Sequence, residues 1–419
     1  MTALLPGPQI ELEVCIAVGR QADAAVWDAG RWDVNVWSQP DTALGDWVDV
    51  TCDVQVPFEL HAGTDQTDGI VTQWQAATTA LTFWGDRYNP RSGPHAGLLG
   101  PGLPLRIRWR PIGDADWRPA FSGYVDDDGF TWSAPPGRMG RADVAATDGT
   151  RILNAADLMK RDAEGGGETA AARVERIADA VQWPDELRGI EPGGVAVRGT
   201  DLEGNAWSQL LLVADTDLAH MWIDAAGVLR YVPQGRVRPQ RDPAAVITCD
   251  PADEGILIPP VSIVGQQPTV LRNVANIQRS VDDGEPDAPI HTLADERSIE
   301  RYLRRPYSRT DLVHLDDDYS AAIAQAVLTG AAWPSFAPQA VELTSRADLD
   351  AGYLLLALEP DLTLSVRDLD GTLWTCQPAG WTVQIDRKAI AGTVSLLDVS
   401  QYAGAGWDSA VWDQSRWSY

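Results

Sequence analysis

Leu105, Ile107 and Trp109 alternate with Arg106, Arg108 and Arg110, and Val48, Val50, Cys52, Val54 and Val56 alternate with Asp49, Thr51, Asp53 and Gln55. A period of two sends one set of side chains to a core and the other to solvent, as in a half-buried strand. Further strands are expected over 12–25, 117–125, 130–132 and 142–146, and Gly and Pro punctuate them. Short strands separated by turn signals predict a β-barrel or sandwich.

The period changes after Thr147. Asp148, Gly149 and Thr150 open a helix through Ile152, Leu153, Ala156 and Leu158. Val174, Ile177 and Val181 have helical spacing ahead of Pro184, and 206–214 reads as another helix. Residues 219–223 and 228–232 flank Ala225-Ala226-Gly227 as a hairpin. Beyond 245, strands are predicted at 246–249, 274–279, 298–302, 339–344, 362–366, 372–376, 381–385 and 392–399. One helix is predicted there: Asp316 or Asp317 caps it, Tyr319, Ile323 and Val327 share a face, and Gly330 ends it.

The expected architecture is mainly β with an α+β insert. It divides as an N-terminal strand and Trp-rich hairpin (1–45), a first β domain (46–147), the α+β insert (148–245), a second β domain with one helix (246–400) and a Trp-rich tail (401–419).

With 33 Lys plus Arg against 60 Asp plus Glu, the formal net charge is −27. That balance argues against a broad nucleic-acid grip or an anionic-membrane surface. The 44% hydrophobic content argues against an acidic disordered chain. Met1–Pro8 has no basic region followed by an apolar stretch, so no secretory signal is expected. No apolar run reaches the ~18 residues of a membrane helix. Cys15, Cys52, Cys249 and Cys376 form no C-x-x-C pair and read as reduced, mostly buried thiols.

Signatures of catalysis are missing. There is no Gly-x-Ser-x-Gly or Ser-x-x-Lys, and neither Lys160 nor Lys388 follows a phosphate-binding glycine loop. His61, His95, His220, His291 and His314 never pair at metal-ligand spacing. Asp126-Asp127-Asp128-Gly129 lacks the alternating ligands of a calcium loop and reads as a solvated turn. Asp316-Asp317-Asp318 reads as a helix cap. No catalytic, cofactor-binding or metal-binding residue is assigned, no cofactor is implied, and the chain is not read as an enzyme.

Tryptophan is abundant, with 18 Trp against 9 Tyr and 5 Phe. Ala25-Val26-Trp27-Asp28-Ala29-Gly30-Arg31-Trp32 returns near the other end as Ala410-Val411-Trp412-Asp413-Gln414-Ser415-Arg416-Trp417. These paired segments read as anchors for the two chain ends or docking surfaces, with a glycan-stacking platform as the alternative.

Leu81-Thr82-Phe83-Trp84-Gly85-Asp86-Arg87-Tyr88-Asn89-Pro90, then Gly97-Leu98-Leu99-Gly100-Pro101-Gly102-Leu103-Pro104, the Arg-rich strand after it, and Phe121-Ser122-Gly123-Tyr124-Val125 together resemble the N-terminal domain of baseplate-hub minor tail proteins of long-tailed phages infecting actinobacteria. Trp222–Tyr231 resembles the hairpin of that family's inserted domain. Ser298-Ile299-Glu300-Arg301-Tyr302, Asp311-Leu312 and the helix to Leu328 resemble its second β domain.

The resemblance implies two tube-like β-barrel domains per subunit and a homotrimeric ring at the distal end of the tail. It implies contacts with the distal-tail or tail-tube protein, the tape measure protein and other tip or receptor-binding minor tail proteins. DNA would pass without specific binding. The setting implied is the virion, at the tail tip or baseplate, after synthesis and assembly in the host cytoplasm. The peptidoglycan-cleaving extension that many members of that family carry is not expected after the second β domain. The acid excess would then line a channel to which DNA does not adhere, or lie outside and aid solubility. A distal-tail or peripheral adaptor, for which a hexamer is the contrasting copy number, is the alternative within the same class.

Overall fold

Alternation becomes pairing first at β6 (Pro104–Pro111), where Leu105, Ile107 and Trp109 are buried and the arginines between them are half-buried. A computed structural model describes residues 3–5, 9–17, 47–65, 73–96, 99–159, 161–233, 247–250, 255–258, 271–281, 287–334, 337–367 and 371–399. The paired Trp segments at 25–32 and 410–417 lie outside the described residues.

Ahead of β6 come β1 (Ala3–Leu5), β2 (Ile10–Ala17), β3 (Trp47–Asp49), β4 (Phe58–Asp65) and β5 (Gln73–Trp84); β7 (Arg118–Ser133) and β8 (Arg141–Thr147) follow it. β2 runs antiparallel to β6, with Glu13 opposite Arg108 and Glu11 opposite Arg110. Both pairs are ion-paired. Arg110 also lies 4.5 Å over the Trp117 ring and Arg106 4.1 Å over Trp47. These arginines are therefore engaged within their own sheet and do not form a free basic stripe.

The second group is α1 (Thr150–Ala155), β9 (Arg161–Glu164), α2 (Ala170–Ala180), β10 (Arg188–Ile190), β11 (Thr200–Leu202), α3 (Ala206–Asp217), β12 (His220–Ile223) and β13 (Leu229–Val232). Its own core gathers Leu153, Val174, Ile177, Trp207, Leu210 and Tyr231. Thr169 caps α2 and Asn205 caps α3 through their side chains. Buried Arg173 donates to Arg198 O at 2.6 Å and Thr200 Oγ1 at 2.8 Å and pairs with Glu168.

The third group is β14 (Ile247–Asp250), β15 (Ile256–Leu257), β16 (Val274–Arg279), β17 (His291–Ala294), α4 (Glu296–Tyr302), β18 (Pro306–Leu312), α5 (Asp317–Ala331), β19 (Ala340–Thr344), α6 (Leu349–Leu356), β20 (Leu364–Arg367), β21 (Leu373–Ile385) and β22 (Ile390–Asp398). Asp316 caps α5, its carboxylate accepting from Asp318 N at 2.9 Å.

The mainly-β class with an α+β insert matches the expectation, but the sheets are not closed into barrels. Fourteen of the described strands form one open sheet along the path β1-β2-β6-β7-β8-β5-β4-β21-β20-β14-β15, with β3 on β2, β22 on β21 and β19 on β22. β21 is the joint. It pairs with β4, placing Gly380 opposite Gly63, while β20 and β22 also pair with it. One core consequently runs from Ile10, Phe83 and Trp109 to Leu355, Ile385 and Leu396.

Four local expectations need correction. The alternation at 48–56 predicted one strand, but β3 stops at Asp49 and a 3-10 turn spans Thr51–Asp53. The Asp49 carboxylate accepts from Thr51 N at 3.0 Å and Thr51 Oγ1 at 2.5 Å, and this local bonding displaces the sheet ladder. Residues 126–129 are a register shift inside the single strand β7, not a turn between two strands. Ser298–Tyr302 is helical: Asp295 caps α4 by accepting from Ser298 N at 2.9 Å. The region 246–400 contains three described helices rather than one, and β17-β16-β18 form a separate sheet packed on α5.

Candidate functional site

The segment that opened the family resemblance folds as a corner. Leu81 and Phe83 enter the core and Trp84 ends β5, 40% exposed. Gly85 has φ 129, a backbone conformation that favours glycine, and it admits the short turn Asp86–Tyr88. The Asp86 carboxylate accepts from Gly140 N at 2.9 Å. Tyr88 lies 5.2 Å from the Phe83 ring and donates its hydroxyl to Asp53 at 2.7 Å, while Arg87 Nη1 lies 3.1 Å from the same oxygen. Burial, then the Asp53 charge, pushes the Tyr88 hydroxyl well above its usual range, so it remains a donor.

Beside this corner is an open groove of about 620 Å³ lined by Cys52, Gln55, Trp84, Arg87, Met139 and Arg387. Trp84 Nε1 donates to Gln55 Oε1 at 3.0 Å. The groove offers an indole face, a thioether and two guanidinium groups, a set suited to holding a polypeptide segment.

A second junction ties the insert to both halves of the large sheet. Trp74 on β5, Trp222 and Val232 on the β12–β13 hairpin, and Trp381 on β21 pack together, with 5.8 Å between the Trp74 and Trp381 ring centroids. The Trp222 indole donates to Glu359 Oε2 at 2.8 Å. Asp224 accepts from Ala226 N at 2.9 Å and Val228 N at 2.8 Å in the hairpin turn and pairs with Arg230 at 2.7 Å. Burial pushes the Glu359 carboxyl up to about 7; the Asp224 charge adds to this, and the Trp222 hydrogen bond opposes it. Sequence reading did not single out Glu359, because its indole partner lies 137 residues away.

The residues weighed in the sequence for chemistry are dispersed. Asp127 pairs with Arg151, and Asp126 lies 3.7 Å from the same guanidinium. His61 lies 3.3 Å from Glu59; His314 Nε2 lies 2.7 Å from Ser320 Oγ. Burial lowers both His220 and His314 to about 4. Cys15, Cys249 and Cys376 are buried, Cys52 is exposed, and none of the four is joined in a disulfide. Among the described residues no cluster of three or more His, Cys, Asp or Glu side chains gathers to hold a metal ion, and no helix is long and apolar enough to cross a membrane.

No protein-family model matches the sequence, and no curated protein matches it. Solved structures do. The chain is similar to the tail protein from Neisseria meningitidis MC58, with a TM-score of 0.55 and 12% identity over 92% of this chain and 96% of that one. It is similar to the 43 kDa tail protein of prophage MuSo2 from Shewanella oneidensis, with a TM-score of 0.51 and 12% identity over 93% of this chain and 99% of that one. At this identity the likeness is one of fold.

Proposed function

We propose that the chain is a structural protein of a phage tail or tail-like particle, a non-enzymatic hub that forms a trimeric ring at the distal end of the tail. In this reading the ring joins the tail tube or distal-tail ring and the tape measure protein to tip or receptor-binding proteins, and DNA passes through it. The observation that carries the reading is the fold likeness to two tail proteins over more than nine tenths of both chains in each comparison. The β body and the inserted module are thus both included in the likeness. The net charge of −27 fits a channel wall that does not retain DNA.

The test is the copy number and position of the chain in purified particles, by quantitative mass spectrometry and electron microscopy. Three copies at the distal tip support the hub. Six copies in a peripheral ring favour the adaptor, and absence from the particle refutes both. If the ring is obtained, a neutral or basic lumen would refute the channel-wall assignment of the acid excess.

A further inference from the structure

The end of α4 contradicts what stability alone asks of a helix terminus. Leu303 follows the helix at φ 63 and ψ 166, a region that is essentially reserved for glycine. A glycine there would remove the steric conflict. The position instead holds a leucine whose side chain is 76% exposed.

The strained turn is held from below. Buried Asn273 donates through Nδ2 to Leu303 O at 2.7 Å and accepts through Oδ1 from Arg305 N at 2.7 Å. Leu303 N donates to Ile299 O at 2.9 Å. Beside it, Trp333 is 42% exposed, meets the Tyr302 ring edge-on at 5.8 Å and is fixed by its indole hydrogen bond to Asp295 at 2.9 Å. Two large apolar side chains are therefore presented to solvent on a rigid support.

The surrounding charge is of the minority sign. Arg297, Arg301, Arg304 and Arg305 are all exposed, against exposed Glu296 and Glu300 and half-buried Asp295 in the same stretch. Arg297 and Arg301, four apart, share one face of α4, and Glu296 and Glu300 share the neighbouring face. None of the six exposed side chains makes an ion pair with another described residue. The segment is a positive island on a chain of net charge −27.

We infer that this patch is a self-association surface: Leu303 and Trp333 insert against an acidic face of a second copy of the chain, and the arginines complement that face. Charge complementarity selects the occupant, because most of the charged surface a second copy can offer is acidic. The contact joins two different faces, so it is head-to-tail and closes into a ring when the rotation permits. The inference supplies a contact surface for the ring of the previous section and rests on that reading.

The experiment is sedimentation velocity on the full chain at about 0.05 M and about 0.5 M NaCl, with thermal melts at protein concentrations where each variant is monomeric. The Leu303→Gly variant relieves the backbone conflict, so its melting temperature stays level or rises while association weakens by at least about tenfold. The Arg301→Glu/Arg304→Glu variant weakens association by a similar factor, most at low salt, with little change in melting. Unchanged association in either variant overturns the inference and leaves the ring reading standing. A Leu303→Gly chain that melts lower also overturns it, since Leu303 would then be a structural residue. A wild-type chain that stays monomeric at low salt overturns both the inference and the ring reading.

Discussion

Replacing Glu359 by Gln is expected to stabilise the protein above pH 7 and leave it nearly unchanged near pH 4.5. Glu359 is half-buried, accepts from the Trp222 indole at 2.8 Å, and is held up to about 7 by burial and by Asp224 and Asp361. Its ordinary value is 4.5, so between these two values the folded chain keeps a proton that the unfolded chain has released. Stability contributed by this group therefore falls as pH rises through that window and levels off above 7. At about 1.4 kcal/mol per pH unit the full cost is about 3 kcal/mol. Solvent at the exposed edge trims it to roughly 2–3 kcal/mol. Glutamine keeps a carbonyl oxygen for the indole and cannot ionise. If the chain unfolds as one unit, its length converts that energy to a gain of about 3 °C in melting temperature at pH 8.

The assay is thermal and urea unfolding of wild type and Glu359→Gln from pH 4.5 to 8. Asp148, pushed up to about 6 by burial, adds a slope of the same sign to both proteins. His220 and His314, lowered to about 4, add the opposite slope, because they must be protonated when the chain unfolds in mild acid. Both contributions cancel in the difference between the two proteins. Identical pH profiles, or a Gln variant less stable than wild type at pH 8, would refute the reasoning.

Three further outcomes are expected. In Gly123→Ala the new Cβ would lie 2.5 Å from Thr147 O, a backbone atom that cannot rotate away; a loss of about 1–3 kcal/mol in urea unfolding is expected, and an undisturbed midpoint would count against the packing described for β7 and β8. Arg173→Ala strips donors from Arg198 O and Thr200 Oγ1 inside the insert, although Arg176 remains 3.0 Å from Glu168; destabilisation of about 3 kcal/mol is expected, and hydrogen exchange should show it concentrated in α2 and β11. Asp148→Ala removes the acceptor of Ala77 N at 2.7 Å and of Thr150 N and Oγ1 at 2.9 and 2.6 Å; a cost of about 2–4 kcal/mol in chemical unfolding is expected, and a wild-type midpoint would show that these bonds are replaced by water.

Much of the local structure was legible because its causes are local. The alternation at 105–110 became β6, the Asp316 cap began α5, and Trp222–Tyr231 formed the β12–β13 hairpin. Where a side chain bonded its own backbone, the same logic misled: Asp49 turned the chain at Thr51 despite a clean alternation, and Asp295 made a helix of residues read as a strand. The tertiary decisions were different in kind. Period two marks Gly63 and Gly380 as strand residues but contains nothing about which strand lies opposite, and that pairing turned two expected barrels into one open sheet. The titration of Glu359 and the strained exposure of Leu303 likewise depend on Trp222 and Asn273, distant partners that only the folded chain brings near. Sequence alone determined many of the elements, the acidic balance and the lack of catalytic signatures, because these follow from neighbours along the chain. The joint at β21, the pH-sensitive junction and the presented apolar patch were decided by the tertiary structure, because burial and pairing are properties of contacts made across it.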